Sequence, residues 1–228
     1  MTILLPAKKL QPRDCILDDV THKYYWNPKG INEEMVISVT GVVNFFKPPY
    51  AGPPDAGWRG THIHRAMEAK ANGTALADYV SPEGIDCTDW IEVLINLPFW
   101  SKVQVLGSEY TMVCRRRSLG GQLDLLVQKE DGTKCLIDLK TKSDGWQNPS
   151  KKDLESWMTQ AGGYMDLLDT GDGAKGGCWV DKAVTLVVTP SEALWFPGNG
   201  ESYDTYECAH LWSESWLTYL AWQHANPF

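Results

Sequence analysis

The sequence predicts an α/β fold, a central mixed β-sheet flanked by helices, and three observations lead there. A β-hairpin pattern fills residues 120–140, helical patterns lie on either side of it at residues 55–72 and 150–169, and a buried-strand pattern follows at residues 183–188. With 228 residues and 43% hydrophobic content the chain is long enough for one sizeable core. No Pro/Gly/Ser-rich linker or shift in composition divides it, so residues 1–228 read as a single domain.

Residues 14–40 alternate as two strands around Asn27-Pro28-Lys29-Gly30, with Tyr24-Tyr25-Trp26 on one arm and Met35-Val36-Ile37-Ser38-Val39 on the other. Thr40 is positioned to cap a short helix over residues 41–46. The proline-rich stretch at residues 47–54 cannot continue that helix and reads as an exposed loop. The helix over residues 55–72 is closed by Gly73. Gly60 on it would let the helix approach the sheet; His64 and Glu68 share a face, and His62 lies about 200° round from His64. Residues 89–103 form a second helical region broken at Pro98, with Trp90, Leu94, Leu97 and Trp100 toward the core. Residues 106–116 are the strand leading into the hairpin, and Glu109 lies on it.

In the hairpin, a two-residue loop at Asp131-Gly132 would put Asp124 and Asp138 on opposite faces of the sheet. A three-residue loop, Glu130-Asp131-Gly132 with the glycine left-handed, pairs Asp124 with Asp138, Leu123 with Leu139, Leu125 with Ile137 and Val127 with Cys135. The second register collects the apolar residues on one face and is the one expected. Asp138 and Lys140 then share the other face, about 6.5 Å apart at Cα.

Two carboxylates facing each other repel, and a divalent cation is the usual compensation. Mg²⁺ takes one or two protein carboxylates and completes its shell with water and substrate phosphate, which leaves a nearby lysine to stabilise an attacking hydroxide or developing phosphate charge. A bare D-x-K also occurs on plain surface hairpins as an Asp/Lys pair, so the motif alone does not decide. His64 is likewise open by itself between a metal ligand and a partner for Glu68, and Glu109 between a residue behind the metal and an exposed strand residue.

Downstream, Ser150-Lys151-Lys152-Asp153 has the spacing of a capping box and starts the helix over residues 150–169. Gln160 and Tyr164 lie one turn apart on it, where they could orient a phosphate or a base, or form an ordinary boundary pair. Gly162-Gly163 in mid-helix costs about 1 kcal/mol per glycine relative to alanine, a loss that close approach of a strand or ligand backbone would offset. The glycine-rich stretch at residues 171–177 lacks the G-x-x-x-x-G-K-[ST] phosphate cradle, so no nucleotide cofactor is expected. Residues 193–196 and 203–208 read as short strands, and residues 213–224 as a terminal helix with Trp212, Trp216, Tyr219 and Leu220 inward.

Gly60-Thr61-His62-Ile63-His64, Gly121-x-x-Asp124, Asp138-x-Lys140 and Gln160-x-x-x-Tyr164 resemble, in order, the four motifs of the PD-(D/E)XK nuclease superfamily in its RecB-like exonuclease branch. The resemblance spans residues 60–164 and implies a restriction-endonuclease-like core and Mg²⁺- or Mn²⁺-dependent hydrolysis of DNA. The activity it implies is that of an exonuclease on single strands or duplex ends, in recombination, repair or replication. It implies that His64, Asp124, Asp138 and the backbone carbonyl of Leu139 bind metal, with Glu109 as a further candidate. Asp124, Asp138 and Lys140 would form the catalytic set, Lys140 positioning or activating the water, while Gln160 and Tyr164 hold the strand. Some relatives carry an iron–sulfur cluster on clustered C-terminal cysteines; only Cys208 lies there, so no iron–sulfur cluster is expected. The alternative is a non-catalytic nucleic-acid-binding or assembly module that keeps the fold, and a third reading is a hydrolase of small phosphoesters.

A net charge of −8 argues against non-specific coating of DNA, which rests on Lys and Arg neutralising phosphates. Basic residues nonetheless cluster around the hairpin at Arg115-Arg116-Arg117, Lys142 and Lys151-Lys152, which makes Arg116 and Lys142 candidates for phosphate contact. Six scattered cysteines without a C-x-x-C read as free thiols. No apolar run approaches the roughly 18 residues of a membrane span, and the first residues lack a signal peptide's core, so a cytoplasmic protein without a membrane partner is expected.

Overall fold

The computed structural model describes residues 8–18, 20–48, 53–75, 78–174 and 180–226. Alternation of apolar residues builds a mixed sheet. Its strands are β4 (Ile37–Ser38), β5 (Val103–Cys114), β6 (Leu119–Lys129), β7 (Lys134–Thr141), β8 (Lys182–Val188) and β9 (Ala193–Phe196). The spatial order is β4-β6-β7-β8-β9, with β5 also paired to β6. β4 runs parallel to β6 and β7 parallel to β8, and the other pairs are antiparallel. A separate small sheet joins β1 (Cys15–Asp18), β2 (Lys23–Trp26) and β3 (Glu33–Glu34).

The hairpin has the expected register, pairing Leu125 with Ile137 and Val127 with Cys135. Lys129 donates its N–H to the Thr133 carbonyl across Glu130-Asp131-Gly132, and Gly132 has φ +89°. A left-handed third loop residue is what lets the strands close without a register slip. Leu125, Val127, Cys135, Ile137 and Leu139 form one apolar face, packed under helices α2 (Pro54–Asn72) and α3 (Thr88–Ile95). Leu123, expected there too, belongs instead to the core on the other face, and the β6–β7 ladder ends at Leu125. That second core joins Leu126 and Leu136 to α1 (Val39–Asn44), α4 (Lys151–Thr170) and α5 (Thr205–Ala225). The sheet is thus covered by helices on both faces.

Helix ends follow local chemistry. The Ser150–Asp153 capping box is formed in both directions, and Gly73, with φ +67°, closes α2. The cap of α1 is Ser38, whose hydroxyl accepts from the Gly41 N–H, and Thr40 lies inside the helix. The expected long arm at Met35–Val39 is divided: Glu33–Glu34 stays with β2, while Ile37–Ser38 joins β6 in the main sheet. Tyr203 makes only a single bridge to Ala183, and α5 begins at Thr205 under an Asp204 cap, so the short strand expected at residues 203–208 does not form. Trp212 and Tyr219 turn inward from α5, whereas Leu220 is exposed. Parts of the proline-rich and glycine-rich stretches, at residues 49–52 and 175–179, and the first seven residues lie outside the described residues, as does Cys178. The other five cysteines are free thiols. Among the described residues no helix is long and apolar enough to cross a membrane.

Two glycines fix how α4 sits. A Cβ on Gly121 would come within 2.9 Å of Leu167 and 3.3 Å of Tyr164, so this position lets α4 lie directly on β6. A Cβ on Gly162 would run into the Cys208 carbonyl, so the mid-helix glycines accommodate α5 rather than a strand or a ligand. Gly60 differs: its nearest neighbour would be Thr141 Oγ1 at 3.5 Å, ordinary contact that an alanine tolerates. Gly162→Ala should therefore destabilise the protein by about 1–3 kcal/mol through overpacking. Gly60→Ala should stay within about 1 kcal/mol of wild type. Urea midpoints check both, and equal midpoints for the two variants would contradict this packing.

Candidate functional site

One edge of β6 is paired to β5 along its length, but the other edge is shared. β4 pairs there at Leu119 and Gly120, and β7 joins only from Leu125 onward. Asp124 falls at the mouth of the gap between them. Its Oδ2 accepts the Leu139 N–H at 2.6 Å, and its Oδ1 lies 3.5 Å from His64 Nδ1. Asp124 and Asp138 are the next residues beyond the terminal Leu125–Ile137 pair of the ladder.

Glu109 completes the cluster. The β5–β6 register shifts between Val105 and Gly107, which sets Glu109 between the Ser108–Leu125 and Tyr110–Leu123 pairs, opposite Asp124. Its φ is +41° inside a strand, a conformation that costs a non-glycine residue of order 1–3 kcal/mol. Its Oε1 lies 3.1 Å from His64 Nδ1. His64 comes from α2, on the opposite side of the sheet from α4. One ligand atom from each of His64, Glu109 and Asp124 lies within 4.8 Å of the others.

The electrostatics are those of carboxylates short of positive charge. Burial works against a charged His64, but the Asp124 and Glu109 carboxylates outweigh it and push the imidazole up to about 9. Burial raises Asp124 above the usual carboxylate range, and Glu109 adds to this against His64 and Lys140. An imidazolium therefore stands between two carboxylates where a cation would fit. Two carboxylates and an imidazole suit Mn²⁺ well, and Mg²⁺ through the oxygens.

Asp138 is 1% exposed and forms a pair with Lys140, whose Nζ donates to Oδ1 at 3.0 Å. Oδ2 lies 2.8 Å from the same nitrogen but outside hydrogen-bond geometry, so it is a buried oxygen with an unused lone pair. Burial raises Asp138 to about 6, against the pull of Lys140. Lys140 is itself raised, since its carboxylate neighbours outweigh its burial, and it stays an ammonium.

Of the expected ligands, His64 and Asp124 lie together with Glu109, while the Asp138 carboxylate is paired to Lys140. The Leu139 group with a partner at the site is its N–H; a strand residue's N–H and C=O point to the same neighbour, so the carbonyl faces the same gap. Gln160 and Tyr164 are buried; Gln160 reaches Lys140, and Tyr164 backs Gln160 while also lining the cavity. Tyr164 accepts from Gln160 Nε2 at 2.8 Å, which turns Gln160 Oε1 to accept from Lys140 at 3.2 Å. Arg116 sits on the β5–β6 turn, and roughly 16 Å of strand, at 3.3 Å per residue, separates neighbouring Leu119 from Asp124. Lys142 lies over the Trp146 ring, with Nζ 5.6 Å from its centroid. His62 is held away from the cluster by the Asp78 carbonyl at 2.9 Å.

A cavity of about 760 Å³ opens over His64, Glu109 and Asp124, with Tyr164 at its edge. Its far wall is the small sheet, through Leu17, His22 and Tyr24, a contribution that sequence reasoning missed. Tyr24 packs there over Gly120, where a Cβ would overlap its side chain.

No protein-family model and no curated protein matches this chain. Solved structures do match, among them one described as the crystal structure of SSO0001, 15% identical over 82% of this chain and 78% of that chain, with a TM-score of 0.36.

His64 yields a pH test in metal-free protein. Because its folded value of about 9 lies above the 6.5 of a free imidazole, its contribution is fully present below pH 6.5 and is lost as pH rises through about 9. In EDTA, wild type should exceed His64→Gln by about 2 kcal/mol at the acid end, after discounting for the partial exposure of the ring. Denaturation at stepped pH should find that difference closing as pH rises; a constant difference would mean that His64 does not titrate between the two carboxylates.

Proposed function

We propose that this protein is a Mg²⁺- or Mn²⁺-dependent nuclease with a restriction-endonuclease-like core, hydrolysing DNA phosphodiesters as an exonuclease of the RecB-like kind. The observation that carries the reading is the convergence of His64, Glu109 and Asp124 beside a half-buried, hydrogen-bonded Lys140 at a gap in the sheet. A surface Asp/Lys pair would need no such burial, no strained glutamate and no histidine from a helix on the far face.

His64, Glu109 and Asp124 would hold the cation, with Asp138 Oδ2, which makes no hydrogen bond, and the Leu139 carbonyl as further donors. The bound ion supplies neutralisation of the phosphate and a lowered pKa for water. Lys140 orients the attacking water and donates toward the charge that grows on the phosphate oxygens, because an ammonium donates and does not accept a proton. Asp138 and Gln160 aim that ammonium from two sides, and Tyr164 fixes the orientation of the Gln160 amide. Gln160 and Tyr164 are thus positioning residues for Lys140. The protein would work in the cytoplasm, in recombination, repair or replication of DNA.

Incubating end-labelled DNA with the purified protein in Mg²⁺, Mn²⁺ or EDTA should give degradation from the ends that EDTA abolishes. Lys140→Ala should cut the rate by about a hundredfold or more while metal and DNA binding survive. If wild type binds DNA but degrades none of it with either metal, the chain is a non-catalytic module, and wild-type turnover by Lys140→Ala would remove the mechanism.

A further inference from the structure

We propose that Tyr24, carried by the small sheet, is a catalytic residue of this site, its hydroxyl donating a hydrogen bond to a non-bridging oxygen of the phosphoryl group brought to the cation. The assignment rests on the hydrolytic reading above and deepens it; the placement of the hydroxyl does not depend on that reading.

Alternation along β2 aims the ring. Lys23 and Tyr25 share one face of the small sheet, where both reach Glu34, Lys23 Nζ at 2.7 Å and the Tyr25 hydroxyl at 3.5 Å. Tyr24 and Trp26 therefore turn the other way. Trp26 meets Arg115, whose Cζ lies 4.6 Å from its ring centroid, and Tyr24 lies over Gly120. A Cβ at Gly120 would overlap the Tyr24 Cβ and ring, so only glycine leaves the tyrosine its seat. Tyr24 then lines the cavity that opens over His64, Glu109 and Asp124.

The gap in the sheet supplies the partner that orients the hydroxyl. Across the β5–β6 ladder Thr111 and Val113 stand opposite Gln122 and Gly120. Their carbonyls face away from β6: that of Thr111 accepts from Cys15 Sγ at 3.3 Å, and that of Val113 from the Asp172 N–H at 2.7 Å. Such a pair exchanges no ladder bonds, so Gln122 turns its own N–H to the other edge of β6. That edge is the gap, with β4 ending at Gly120 and β7 joining at Leu125. The Tyr24 hydroxyl takes the Gln122 N–H there.

A hydroxyl that accepts from a backbone N–H has its own proton left to give. Its charged neighbours are Asp124 and Glu109, and burial together with these carboxylates raises the phenol above its ordinary value, so it donates and does not act as a base. The cavity lining is otherwise poor in groups for a phosphate: Arg65 stands against Glu68, Glu83, Glu109 and Asp124. A phosphoryl group at the carboxylates needs donors as well as a cation. Lys140 offers one from the α4 side, and Tyr24 offers another from the small sheet.

Calorimetric titration with thymidine monophosphate in Mg²⁺, alongside degradation of end-labelled DNA, tests the assignment. Wild type should bind the nucleotide in Mg²⁺ and lose it in EDTA. Tyr24→Phe keeps the ring on Gly120 and should hold a urea midpoint near that of wild type, yet bind the nucleotide about tenfold more weakly and degrade DNA about tenfold or more slowly. Tyr25→Phe, on the other face of β2, should match wild type in both. Should Tyr24→Phe fail to fold, a ring-fluorinated tyrosine in place of Tyr24 keeps the packing with a more acidic hydroxyl, and should tighten nucleotide binding about twofold or more. Unchanged nucleotide affinity in the variant that folds, or no Mg²⁺-dependent binding by wild type, would overturn the proposal. If wild type degrades DNA and Tyr24→Phe binds and cuts as wild type does, hydrolysis stands and the role of Tyr24 falls. If nothing is degraded but Mg²⁺-dependent binding drops in Tyr24→Phe, the phosphate donor stands and the hydrolytic reading falls.

Discussion

Two carboxylates, Glu109 and Asp124, converge on one partly buried imidazole, and the surrounding structure is arranged around that imbalance of charge. Left alone, such a cluster would relax by turning a side chain to solvent. Here it is prevented from doing so on three sides: the Leu139 N–H grips Asp124, α2 fixes His64, and a left-handed backbone inside β5 holds Glu109 in line. Strain stored at a cluster of like charges is the observation on which the proposed cation site rests.

The sheet supplies the space. β4 and β7 share one edge of β6 without meeting, so residues 121–124 face a gap at which chains from both faces come together. His64 arrives from the α2 side and Lys140, steadied by Gln160, from the α4 side. The close seat of α4 on Gly121 and of α5 on Gly162 keeps the Gln160–Tyr164 pair from drifting, and through it the lysine. Burial and hydrogen bonding of Lys140 are therefore consequences of helix packing as much as of local chemistry.

How much of this is written locally follows from the range of the interactions concerned. The hairpin register is legible because Gly132 and the alternation from Leu125 to Val127 and from Cys135 to Ile137 leave one arrangement that buries the apolar set. The α2 stop at Gly73 and the Ser150–Asp153 box are legible because each is complete within a few residues. Glu109 is half-legible: its presence on the strand is clear, but its place beside His64 depends on a register shift and a positive φ that no residue pattern announces. The pairing of Asp138 with Lys140 is half-legible too: two-residue spacing puts both on one face but cannot tell whether the lysine stands beside the carboxylate or binds it. Ile37–Ser38 joining β6, and Tyr24 closing the cavity over Gly120, are contacts across some eighty to a hundred residues, beyond the reach of local periodicity.

The most direct measurement is anomalous diffraction from crystals soaked in Mn²⁺. A single strong peak about 2.0–2.3 Å from a His64 ring nitrogen and from carboxylate oxygens of Glu109 and Asp124 is the result this account requires. A peak held by other residues, or an imidazolium still seated between the two carboxylates at saturating Mn²⁺, would contradict it.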